Sequence, residues 1–158
     1  MSANYAFALA LGIGFVAGLR ALTAPAVASW AARLGWLNLT GTPVAFMGST
    51  AAVAIFSLAA IGEFVNDLLP KTPPRTAPAP LIARIAMGAL SGACLCAANT
   101  QSLLGGAALG GIGGLVGAFA GYQARTRLVA SLKVKDALIA IPEDLFAIGL
   151  ALFLVTAR

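Results

Sequence analysis

The fold class predicted from the sequence is an all-α polytopic membrane bundle, and three observations carry it. Hydrophobic residues fill 60% of the 158 positions and charged residues only 9%, where a soluble domain carries about 25% charged side chains. Mean hydropathy is +0.95. The apolar residues fall into five runs, each close to or longer than the roughly 20 residues that cross a bilayer, at about 5–33, 43–69, 81–99, 102–124 and 137–157. Ten Lys/Arg and five Asp/Glu cannot form the polar shell of a soluble core, so soluble enzymes and nucleic-acid binders are excluded. Residues 1–158 read as a single integral membrane domain.

The first run is longer than one crossing needs and carries Arg20, Thr23 and Pro25 in its middle, which predicts a kinked or broken helix. The chain starts Met1-Ser2-Ala3-Asn4, without the basic stretch of a cleaved signal peptide, so this run is expected to remain in the mature protein. After the second run, Lys71-Thr-Pro-Pro-Arg-Thr-Ala-Pro-Ala-Pro80 forbids helix and predicts an extended loop. Asn99-Thr100-Gln101 reads as a tight helical hairpin, and the basic stretch from Arg125 to Lys135 as the last connection.

With five spans, the N-terminus shares a face with the loops at 70–80 and 125–136. That face holds seven cations, Lys71, Arg75, Arg84, Arg125, Arg127, Lys133 and Lys135, against Arg33 and Arg158 opposite. The positive-inside rule then puts the N-terminus in the cytoplasm. A rival arrangement has four spans, the first run lying in the interface or re-entering.

Lipid is as apolar as Leu, so membrane helices associate through close backbone approach at small residues. Gly14 and Gly18, Gly88 and Gly92, and two series on the fourth run, Gly106, Gly110, Gly114 and Gly113, Gly117, Gly121, each repeat every four residues, on one helix face. The fourth run is therefore predicted to be the central helix, with its glycines packing inside one subunit or, alternatively, between copies. Gly14-Phe-Val-Ala-Gly18 and Gly117-Ala-Phe-Ala-Gly121, with Ala60-Ile-Gly-Glu63 and Ala140-Ile-Pro-Glu143, admit an inverted repeat, although the two glutamates lie at different depths in their runs.

Ionisable groups within a span cost about 2.5–3.5 kcal/mol each on insertion scales and serve as functional candidates. Glu63 and Asp67 lie four apart on one helix face, with Asn66 adjoining. The five-span arrangement brings them to the cytoplasmic half with Arg125, Arg127, Glu143 and Asp144. Two readings stand for this cluster: interhelical ion pairs that lock the bundle, or a solvated vestibule binding an ion or polar solute. Pro142 next to Glu143 would free carbonyls there. Arg20 lies deep in the first run without an acid at matching depth, and with Thr23 and Pro25 it marks either an unwound anion site or a snorkelling side chain.

Catalysis finds no support: there is no His, no nucleophile elbow and no paired acidic metal motif. No metal or other cofactor is expected. Cys94 and Cys96, two apart, point about 200° apart on a helix and read as small hydrophobes. No Lys-Ser/Thr follows the glycine run to make a phosphate cradle.

Gly18-Leu-Arg-Ala-Leu-Thr-Ala-Pro25, Trp30, Gly35-Trp-Leu, Gly62-Glu-Phe-Val-Asn-Asp-Leu-Leu-Pro-Lys-Thr-Pro73, Arg75-Thr, Gly121-Tyr and Arg125-Thr-Arg resemble the small bacterial membrane proteins classed as domain of unknown function 4126. The resemblance spans nearly the whole chain. It implies a bacterial membrane protein without an assigned activity and a characteristic polar set of Arg20, Glu63, Asn66, Asp67, Lys71 and Arg75. The functional expectation is a small inner-membrane transporter or channel-like permease, homo-oligomeric because one such bundle is thin for enclosing a pathway. The alternative is a membrane scaffold or accessory subunit with a membrane protein partner.

Overall fold

The computed structural model describes residues 2–67, 73–133 and 136–157, the last without the side chains of 136 and 137. Lys71, Lys135 and Arg158 lie outside these residues, as does the side chain of Asp136. Six α-helices follow in order: α1 Ala3–Leu19, α2 Thr23–Arg33, α3 Thr50–Asp67, α4 Pro78–Ala98, α5 Leu103–Leu132 and α6 Asp136–Thr156, with a 3₁₀ turn at Ala45–Gly48 before α3. No strand occurs among the described residues. Four helices, α3 to α6, are long and apolar enough to cross a membrane, and α1 is a shorter apolar helix. The chain is a multi-span helical membrane protein.

Helix directions follow from the contacts. Cys96 Sγ lies 3.7 Å from the Ala6 carbonyl and Arg84 Nε donates to the Gly18 carbonyl at 3.1 Å, so α1 and α4 are antiparallel. Gly14 abuts Gly110 and Gly18 abuts Ala118, so α1 and α5 are parallel. Gly12 faces Leu154 while Arg20 pairs with Asp144, so α6 opposes α1. Trp30 Nε1 reaches Ser57 Oγ at 3.0 Å and Leu22 meets Glu63, so α2 opposes α3. Beyond Trp30, Ala31 of α2 belongs to the same buried cluster as Leu95 and Val155, near the C-terminal ends of α4 and α6.

The first run is thus a re-entrant hairpin. α1 leaves helical geometry at Arg20 (φ −140°, ψ 109°), and α2 returns to the end where α1 began. Pro25 sits in the first turn of α2, where its missing N–H is harmless. At about 1.5 Å per residue, α1 is ~26 Å long and stops short of a ~30 Å hydrocarbon core. α2 ends in a Schellman motif: Gly35 takes φ 77° while the amides of Gly35 and Trp36 bond to the carbonyls of Ala32 and Ala31.

Two expectations change accordingly. Both termini share an end with the 99–102 turn, and the N-terminus is opposite the 73–77 loop, not beside it; this is the four-span rival with a re-entering first segment. The inverted repeat fails, since it requires α1 and α5 to run in opposite senses. A smaller difference is that α5 continues to Leu132 instead of stopping near 124, because no Gly or Pro follows Gly121 in that run and Arg, Gln and Leu favour helix.

α1, α4 and α5 form the close-packed centre. A Cβ added at Gly14, Gly88, Gly92, Gly106, Gly110, Gly113, Gly114 or Gly117 would come within 3.0 Å of a neighbouring helix's backbone, and one at Gly18 would lie 2.5 Å from Ala118 N and Gly114 O. These glycines pack within one chain. Cys94 and Cys96 are buried and free. By contrast, α3 buries only Ala52 and Val53, and Ile55, Leu58, Ile61 and Val65 are exposed along its outer side.

Candidate functional site

The break between α1 and α2 frees backbone groups deep in the bundle, and side chains from other helices satisfy them. Arg84 of α4 donates Nε to the Gly18 carbonyl at the end of α1 and Nη1 to its own helix at Pro80 O, 3.3 Å away. Glu63 of α3 accepts the amides of Ala21 and Leu22 with separate carboxylate oxygens, each at 2.9 Å. A cation thus closes the C-terminal end of α1 and an anion the approach to α2, the signs that the helix dipoles favour. Arg84 Nη2 and Glu63 Oε1 are 3.5 Å apart, so the two caps also pair.

Arg20 occupies the turn itself and is 3% exposed. Its Nε bonds Asp144 of α6, its Nη1 lies 3.4 Å from Asp67 of α3, and its guanidinium stands 4.1 Å from the centroid of Phe64, close enough for a cation–π contact. Arg75, in the loop before α4, holds Glu143 with two bonds, Nη1 to Oε1 at 2.5 Å and Nη2 to Oε2 at 3.1 Å. Arg125 Nη1 lies 3.6 Å from the same carboxylate. Gly121 makes the room for this pair, since a Cβ there would lie 2.6 Å from Arg75 Nη1 and 3.3 Å from Glu143 Oε1.

Four arginines and four carboxylates therefore form one charge-balanced group. Among the described residues, the remaining cations, Arg33, Arg127 and Lys133, lie outside it and are exposed. Of the residues expected from the sequence, Glu63, Asp67, Arg125, Glu143 and Asp144 come together and Arg20 joins them. Asn66 stands at the rim and is exposed, as is Arg127 further along α5. Lys71 lies outside the described residues. Arg20 has acids at its depth after all, Asp67 and Asp144, because the hairpin turn stops level with the C-terminal end of α3 and the N-terminal half of α6. Sequence reasoning missed Arg84 as a partner of Glu63 and treated Arg75 as a loop charge; the polar set implied by the family resemblance was the signal for Arg75.

Beside the group lies an open cleft of about 780 Å³, lined by Glu63, Asn66, Asp67, Pro73, Pro74, Arg75, Pro80 and Arg84 on one side and by Tyr122, Arg125, Thr126, Val129 and Ala130 of α5 on the other. A second cavity of about 520 Å³ between α1, α5 and α6 is apolar apart from Arg125 and Glu143 at its edge. The carboxylates face arginines or amides in a partly buried setting, with the cleft beside them.

No curated protein and no solved structure matches this chain. A family model, Domain of unknown function (DUF4126), matches residues 7–157. Four of the six polar residues of the resemblance, Arg20, Glu63, Asp67 and Arg75, meet at one site, and the chain belongs to that family.

Proposed function

We propose that the protein is a small permease of the bacterial inner membrane, passing a small ion or polar solute between the polar cleft and the α1–α2 turn. One observation carries this reading: non-helical backbone is buried within an apolar bundle, beside buried charges that border an open cleft. Irregular backbone inside a bilayer is tolerated where it is buried in protein or lines a watery cavity, and intramembrane ionisable groups mark pathways. Broken helices whose ends face the membrane interior form the binding sites of many transporters. The basic end, with Arg75, Arg125, Arg127 and Lys133, is taken as cytoplasmic by the positive-inside rule, which puts both termini outside. A bundle this small forms its pathway as a homo-oligomer, testable by the molar mass of the protein in detergent.

A second reading, a scaffold or accessory subunit, is favoured by the pairing of all four carboxylates, since balanced ion pairs can lock helices together. Thiol accessibility separates the two. With Cys94 and Cys96 replaced by Ala, single cysteines at Glu63, Asp67, Glu143 and the apolar control Leu150 are treated with an impermeant thiol reagent from each side. Rapid labelling of the acidic positions from the basic side alone, with Leu150 protected, supports the permease. Protection equal to that of Leu150 in folded protein removes it.

A further inference from the structure

We infer that the groove between α5 and α6, beyond the end of α1, seats one acyl chain of an anionic phospholipid, with the lipid phosphate at Arg125. Such a seat serves a permease and a scaffold alike, so it stands apart from the reading above.

The early end of α1 makes the groove. α1 and α5 run parallel with their backbones in contact, Gly14 on Gly110 and Gly18 on Ala118, and the Leu19 side chain meets Gly121. There α1 stops and the chain turns away at Arg20, while α5 continues to Leu132. The space that a longer α1 would fill is left as the apolar cavity of about 520 Å³. Phe15 and Leu19 line it where α1 ends, and further out Ala124, Leu128 and Leu132 of α5 face Ile139 and Phe146 of α6. α6 does not close the gap because its packing is directed elsewhere. Its Ala147, Ala151 and Val155 lie in the core cluster with Ile13 and Val16 of α1, and its N-terminal half is held by Arg20 and Arg75. Leu128, Leu132 and Phe146 are left exposed.

From Ala120 to Leu132, α5 runs ~18 Å at about 1.5 Å per residue, enough for one chain from a leaflet about 15 Å deep. A recess this apolar does not hold water, and left empty it forfeits the dispersion contacts of its lining. In a bilayer the apolar matter at hand is a lipid chain.

Charge selects the lipid. Within the balanced group the pairing is uneven: Arg20 alone faces Asp67 and Asp144, whereas Arg75 and Arg125 share Glu143. The groove borders the second set, with Arg125 and Glu143 at its edge, and Arg127 and Lys133 are exposed on the same stretch of α5. Arg125 also lines the polar cleft, so a headgroup beside it has polar surroundings while its chain lies on Leu128 and Leu132. Basic pockets between spanning helices hold anionic headgroups in this way.

The test counts lipid and reads stability. Delipidated protein in a neutral detergent is titrated with phosphatidylglycerol or with phosphatidylcholine of the same chains, following the unfolding midpoint and, by native mass spectrometry, the lipid retained per chain. The expected result is one retained phosphatidylglycerol and a saturable rise in midpoint of about 3 °C or more, with phosphatidylcholine half-saturating at about 5-fold higher concentration. Ala124→Trp, which fills the groove from an exposed position, should abolish both effects, whereas Leu58→Trp, on the exposed side of α3, should leave them unchanged. Arg125→Gln should keep the chain and lose the preference for phosphatidylglycerol. In wild type, no retained lipid or equal half-saturation by the two lipids overturns the seat, whatever the variants do. So does a preference kept in folded Arg125→Gln, or undiminished retention in folded Ala124→Trp; if that variant is also monomeric where wild type is dimeric, the groove belongs to a second copy of the chain.

Discussion

Arg20 ties three parts of the chain together. Its buried guanidinium joins α3 and α6 to the hairpin turn through Asp67 and Asp144. Removing one member of a buried ion group leaves its partners desolvated and uncompensated, at about 3–5 kcal/mol. Arg20→Gln should therefore cost about that much in unfolding measurements in detergent, whereas Arg127→Gln, at an exposed position, should change stability by less than about 0.5 kcal/mol. Equal effects would mean that the group is not a structural unit. Arg75 and Glu143 make a two-bonded fork, a geometry that Lys cannot reproduce. Arg75→Lys should lose much of what Arg75→Ala loses, with the difference visible in the same unfolding series. Gly121 shows how one small residue serves such a pair: with a methyl there, the Arg75 head would have to move.

At the scale of elements, backbone contact and side-chain polarity divide the work. α1, α4 and α5 associate at their glycines, where helix axes come close enough for backbone to touch backbone. Gly110→Ala would put a methyl within 3.0 Å of the Gly88 backbone and should destabilise strongly. Gly149→Ala, at a helical position with nothing within 4 Å, should stabilise by about 0.5–1 kcal/mol through propensity alone. Opposite signs in one unfolding assay would verify the glycine seams; the same sign would break the argument. α3 is held differently, by Trp30 to Ser57 near its middle and by Glu63 and Asp67 near its end. Glu63→Ala should release that end. Hydrogen exchange at Ala21, Leu22 and the last turn of α3 should then accelerate well above that at Gly110, and an unchanged pattern would contradict the assigned caps. The positions of Trp30, Trp36 and Phe46, all exposed around the loop end of α2 and the start of α3, suit the aromatic belt at a membrane interface.

For the whole molecule, the fold commits both termini to one face. Single cysteines at Ser2 and Thr100 should react from one side of the membrane and those at Thr76 and Ser131 from the other; Ser2 reacting with Thr76 would restore a five-span topology. Membrane residence, the all-helical class, the broken first segment and the glycine-rich central helix were legible from the sequence, because each depends on local quantities: apolar length, proline position and four-residue spacing. So was the gathering of Glu63, Asp67 and Glu143, since helix ends of known polarity must meet. The fold-back of the first run was open in the sequence, because a 29-residue apolar stretch can tilt across a bilayer or turn within it at similar local cost. Its choice rests on partners far along the chain, Asp144, Glu63 and Arg84, which neutralise or cap the groups exposed by the turn. Composition and apolar run length settle which segments leave water and which acids gather at one end; which arginine each acid takes depends on helix direction and depth, and the turn at Arg20 sets both.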